Sequence, residues 1–161
     1  MSVDPRTSLN IVRKEIQDCQ DDLKMFRWEF SEINEEPQTF TVKMKSPLDQ
    51  QEYIIEFKFD NYKEWPLLIE FIEPNTGQRG TKNAYPAPNE KFGGFFHGNL
   101  CICHPCSRKA YQGYTNLHRD WKMDGWQQNA QCGNLKNIQS ILRAIYFRIS
   151  NSQAYKGRMR G

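Results

Sequence analysis

The chain has 161 residues, of which 38% are hydrophobic, 13% aromatic and 25% charged. That is enough apolar material for one domain with a buried core, and the aromatic share argues against disorder. Lys and Arg total 22 against 19 Asp and Glu, a net charge of +3. This falls short of the basic stripe of a nucleic-acid surface, so no nucleic-acid partner is expected. No apolar run approaches the ~20 residues of a bilayer span, so no membrane is expected either. Met1-Ser2-Val3-Asp4-Pro5 lacks a signal-peptide pattern, and five cysteines is an odd number. The expectation is a reducing, cytoplasmic setting with free thiols.

The first predicted element is a helix. Leu9, Val12, Ile16, Cys19, Leu23 and Phe26 recur at spacings of three and four and share one face. Ser8 is a candidate N-cap, with Asp4-Pro5 before it. Arg13, Lys14, Gln17, Asp18 and Asp21 form the solvated side. From about Met25 the period changes to two. Arg27–Ile33, Phe40–Lys45, Tyr53–Phe59 and Leu67–Ile72 read as four strands. The turns between them fall at Asn34–Pro37, Ser46–Asp49 and around Trp65-Pro66, which predicts an antiparallel meander lying on the helix.

Residues 77–94 hold four glycines and the prolines Pro86 and Pro88, and read as a long loop of the kind that carries function. A second irregular stretch, Ser107 to Gly133, is rich in Tyr, Trp, Gln and Asn. A last helix opens at Asn134-Leu135, with Leu135, Ile138, Ile141, Leu142, Ile145 and Ile149 on one side. The basic segment 151–161 reads as a frayed, solvated terminus. The expected architecture is one α+β domain over residues 1–161, with its core about 8–150.

Three cysteines and two histidines fall between His97 and Cys106, in the run His97-Gly98-Asn99-Leu100-Cys101-Ile102-Cys103-His104-Pro105-Cys106. Thiols and imidazoles ionise nearest neutrality, so this cluster can attack, shuttle protons or hold a metal.

Helix, meander, cysteine-bearing loop and helix, in that order from Ser8 to Ile149, resemble the ubiquitin-conjugating enzyme (UBC-like) family. Two local matches support the resemblance. Tyr62-Lys63-Glu64-Trp65-Pro66 stands where the family has a Tyr-Pro-rich link between its third and fourth strands. Gly98-Asn99-Leu100-Cys101-Ile102 is similar to the family's Gly-x-Ile/Val-Cys-Leu pattern. The family's His-Pro-Asn motif is not present as such. Pro88-Asn89 is its nearest echo, twelve residues before Cys101. The segment after the cysteine is longer than usual, and one clear helix follows it. These departures point to a divergent member, such as the bacterial conjugating-enzyme-like proteins.

The resemblance implies a carrier. Cys101 would accept a ubiquitin-like modifier from an activating enzyme as a thioester and pass it to an amine on a target protein, with no cofactor. A thiolate suits both steps, because it is strongly nucleophilic and its ester is readily attacked by amines. Asn99, Asn89 and His97 are candidates to orient the amine or stabilise the oxyanion. The bland reading of Cys101, between Leu100 and Ile102, is a small buried hydrophobe.

Two other readings stay open. Cys103-His104-Pro105-Cys106 has thioredoxin-like Cys-x-x-Cys spacing, although a meander precedes it where such a fold needs a strand-helix-strand unit. The same pair has zinc-ligand spacing, and Cys103, Cys106, His118 and Cys132 can make up four ligands, with His97 and His104 as further candidates. That zinc would be structural, in a catalytically inactive UBC-like binding module. Trp121 and Trp126 read first as caps over the last helix, with Trp121 the better candidate to wall a cleft. Arg108 and Lys109 are candidates to meet an acidic partner.

Overall fold

The computed structural model describes residues 2–161. Asp4 caps the first helix by accepting from the Arg6 N–H, and Pro5 takes the first helical position, where its missing N–H costs nothing. Ser8, expected as the cap, is inside the helix and donates to the Tyr62 carbonyl at 2.5 Å. The predicted single helix is two: α1 (Pro5–Gln17) and α2 (Gln20–Phe26). Between them Cys19 leaves helical geometry, and Arg27 then closes α2 in the left-handed region, φ 59°.

The sheet follows the alternation. Strands β1 (Glu29–Phe30) and β2 (Asn34–Glu35) both pair antiparallel with β3 (Gln38–Lys45). The registers Phe30↔Val42 and Asn34↔Thr39 set three residues against two. The expected first strand is therefore one strand interrupted by a bulge. There the Ser31 N–H donates to the Thr41 carbonyl, and the Thr41 N–H donates back to Ser31 Oγ. Strands β4 (Glu52–Lys58) and β5 (Leu68–Ile72) complete the order β1-β3-β4-β5.

Every second residue faces inward: Phe40, Val42 and Met44 on β3, Tyr53, Ile55 and Phe57 on β4, Ile69 and Phe71 on β5. They join one cluster with Leu9 and Val12 of α1, Trp28, and the apolar side of α3 (Ile138–Ser150). Helix α3 begins three residues later than the apolar pattern suggests. Asn137 accepts from the Ser140 N–H, and Ser140 Oγ accepts in return from the Asn137 N–H, a reciprocal cap that fixes its start.

Two buried carboxylates lock the layers. Glu15, 8% exposed, accepts from Tyr62 Oη at 2.7 Å, Lys63 Nζ at 2.9 Å and the Ile138 N–H at 2.9 Å, joining α1, the β4–β5 link and the first turn of α3. Asp22 receives Arg143 through Nε at 2.7 Å and Nη2 at 3.1 Å.

The tail is docked, contrary to expectation. The Arg158 guanidinium lies 4.4 Å from the Tyr53 ring centroid and donates to the carbonyls of Glu52 and Asn83. The Met159 N–H reaches the Tyr85 carbonyl, and the Ala87 N–H reaches that of Gly157. Segment 157–159 thus runs beside 85–87 and orders the long loop. No helix among the described residues is long and apolar enough to cross a membrane.

Candidate functional site

A short hairpin carries the cysteines. Strands β6 (Phe96–His97) and β7 (Cys101–Ile102) pair with His97 opposite Cys101. The Leu100 N–H closes the turn onto the His97 carbonyl at 3.0 Å, and Leu100 takes φ 61°. This is the three-residue hairpin that ends in a left-handed residue. The left-handed position falls on Leu100 and not on Gly98.

Beyond β7, the Cys103 N–H donates to the Phe95 carbonyl, and the chain turns through His104–Cys106 into a 3-10 turn at Arg108–Ala110. Arg108 anchors that turn. It is 2% exposed, donates from Nε to the Pro66 carbonyl, and reaches Asp60 with both terminal nitrogens. Lys109 lies 3.6 Å from Glu70. The two residues offered as a greeting to an acidic partner are internal ion pairs, and Arg108 is out of reach of any partner.

From that anchor the loop returns on itself. Tyr111 is buried, donates to the Pro105 carbonyl at 2.6 Å and forms a backbone bridge with His118. Thr115 Oγ1 donates to the Lys109 carbonyl. The result brings His118 Nε2 to 3.2 Å from Cys103 Sγ. Trp121 lies flat on the His118 ring, centroids 3.5 Å apart and planes 5° from parallel, and the Trp121 backbone N–H donates to the His118 carbonyl. Tyr111 stands 5.7 Å behind Trp121.

The five thiols are all free, and they differ in access. Cys19, Cys101, Cys106 and Cys132 are buried; Cys103 is partly exposed. Cys101, the thiol that the family pattern selects, is 0% exposed. Burial, with Cys103 beside it, pushes Cys101 up to about 11, against a smaller pull from Lys109 and Thr115. Burial also raises Cys103. Its resting form is therefore the thiol, so an attack needs a base, and His118 is the base within reach.

The other candidates separate. Asn89 donates to the carbonyls of Gln153 and Ala154, so it pins the C-terminal segment. His97 Nδ1 accepts from the Asn99 N–H at 3.0 Å, and Asn99 is exposed in the hairpin turn. His104 Nδ1 accepts from the Cys106 N–H at 3.1 Å. Trp126 is buried and donates from Nε1 to the Lys63 carbonyl in the β4–β5 link. Trp121, by contrast, is part of the site.

Of the four offered as zinc ligands, Cys103 meets His118, while Cys106 and Cys132 are both buried, and burial, with Cys132 nearby, pushes the Cys106 thiol up. No group of three or more His, Cys, Asp or Glu side chains gathers at ligand spacing among the described residues. Cys106 is fully buried and pushed far up by burial, which is not the exposed, activated pair of a thiol-disulfide centre.

Comparison with protein-family models, with curated proteins and with solved structures finds no match.

Proposed function

We propose that this chain is a ubiquitin-like-modifier carrier, a divergent relative of the ubiquitin-conjugating enzymes, with Cys103 as its acceptor thiol. The observation that carries this reading is the 3.2 Å approach of Cys103 Sγ to His118 Nε2, at the one cysteine of the five that solvent reaches. The succession of helix, meander and cysteine-bearing loop supports the family. Five free thiols suit a reducing compartment such as the cytoplasm.

In charging, Cys103 Sγ attacks the carbonyl carbon of the thioester that an activating enzyme presents. His118 Nε2 takes the thiol proton, the carbon–sulfur bond to the activating enzyme breaks, and the departing thiolate takes up that proton. The modifier now sits on Cys103. An amine on the target protein then attacks the same carbon and releases the thiol.

The acceptor is thus two residues beyond the position that the family pattern marks. Cys101 is buried in β7. One observation favours a second reading, a catalytically silent binding module of the same family: the thiol matching the family pattern is fully buried.

The test is a charging assay in extract of the source cells. With ATP, a thiol-sensitive upward gel shift of about one small modifier is expected for the wild type and for Cys101→Ala. In Cys103→Ser it should vanish or become thiol-resistant. A shift that is lost in folded Cys101→Ala and kept in Cys103→Ser contradicts the assignment of the acceptor. No shift in any protein contradicts the carrier and leaves the binding module.

A further inference from the structure

An acylated Cys103 no longer has an S–H to share with His118. Nε2 then faces the acyl carbon, which is one covalent bond from the sulfur it touched. We propose that His118 acts as general base on the incoming acceptor, and that the Cys103 thioester is therefore discharged by hydroxyl groups, of the serine or threonine kind, as well as by amines. This rests on the Cys103 carrier reading and names the class of its acceptor.

Three features support it. His118 is held without needing to move: its backbone bridges Tyr111, and its ring lies flat on Trp121 at 3.5 Å and 5°. A ring fixed on one face keeps its nitrogen aimed in the direction set at 3.2 Å from sulfur. Both Cys103 and His118 are partly exposed, so an acceptor side chain can approach.

The chemistry separates the two acceptor classes. An amine attacks as the free base and sheds its proton later, so it gains modestly from a neighbouring imidazole. A hydroxyl becomes an adequate nucleophile only as its proton leaves, and a positioned base contributes most there. The step balances. The hydroxyl oxygen bonds to the thioester carbon as Nε2 takes its proton. The tetrahedral intermediate collapses, the carbon–sulfur bond breaks, and the thiolate recovers the proton from the imidazolium. The products are an oxygen ester and free Cys103 thiol; nothing is oxidised or reduced.

The experiment charges the purified full chain chemically, with a labelled peptide thioester ending in Gly-Gly. N-acetylthreonine amide or Nα-acetyllysine amide is then added, and the ester or amide formed is counted by mass spectrometry. Wild type should form both. With products counted per charged molecule, His118→Gln should lower the ester-to-amide ratio by about a hundredfold. The inference is overturned if wild type makes no threonine ester above the buffer control, or if His118→Gln makes it equally well. Both proteins are charged at alkaline pH, where hydroxide takes the thiol proton, and failure of wild-type Cys103 to charge there overturns the inference too, because no thioester then stands beside His118. No ATP, activating enzyme or natural modifier enters this measurement. It can therefore fail while the extract assay succeeds, and the reverse.

Discussion

Cys103 Sγ and His118 Nε2 are 3.2 Å apart although they stand fifteen positions apart in the chain. The loop between them is shaped by residues that never touch the thiol: Arg108 clamped on Asp60, Tyr111 on the Pro105 carbonyl, and Thr115 on the Lys109 carbonyl. The approach of the pair is thus a product of the loop's polar anchors.

Trp121 holds the imidazole by stacking on it. Trp121→Ala frees the ring and should slow alkylation of Cys103 at neutral pH by about tenfold, since a wandering base helps less. Trp121→Phe retains a flat face and should recover most of the rate. Thermal melting of the two variants, measured alongside, separates positioning from stability: equal melting with unequal alkylation is the expected outcome. Equal alkylation would show that the stack does not position the base.

Glu15 satisfies three donors from three parts of the chain. Glu15→Ala strands Tyr62 Oη and the Ile138 N–H inside the protein and should cost ~3–5 kcal/mol in urea denaturation. Glu15→Gln keeps an acceptor oxygen and should cost ~1–2 kcal/mol. A Glu15→Ala loss below that of Glu15→Gln would mean that the carboxylate does not join the layers.

The four inward-facing strand patterns and the apolar side of α3 could be read from the residues alone, because burial on one face imposes a period of two or of 3.6. Hydropathy gave no sign of Glu15 or Asp22, which point into the protein from otherwise solvated helix positions; a charged residue signals burial only through its partners, and Ile138 and Arg143 are more than a hundred residues away. The docked tail escaped notice for the same reason. Arg158 is ordinary in sequence, and its acceptors at Glu52 and Asn83 are distant in it. His118 and Cys103 were visible as metal candidates. The spacing of His118 and Trp121, three apart at the far end of an aromatic-rich loop, was the available hint of a stacked imidazole.

His104 provides a pH test. Burial, with Arg148 nearby, lowers it from 6.5 to about 4. The unfolded chain takes up this proton as pH falls below 6.5, while the folded protein resists until about 4. Stability from this residue is therefore full above 6.5 and is lost progressively down to 4. Urea midpoints should fall between pH 7 and 4 in the wild type, and less in His104→Gln. Identical slopes for the two proteins would remove His104 as the cause.

The most direct measurement is a brief pulse of iodoacetamide on the native wild-type protein near pH 8, followed by unfolding, a second isotopic label and peptide mapping. The account predicts the first label on Cys103 alone, with Cys19, Cys101, Cys106 and Cys132 carrying the second, and a slower first label in His118→Gln. A first label on Cys101 in preference to Cys103, or a Cys103 rate indifferent to His118, would contradict it.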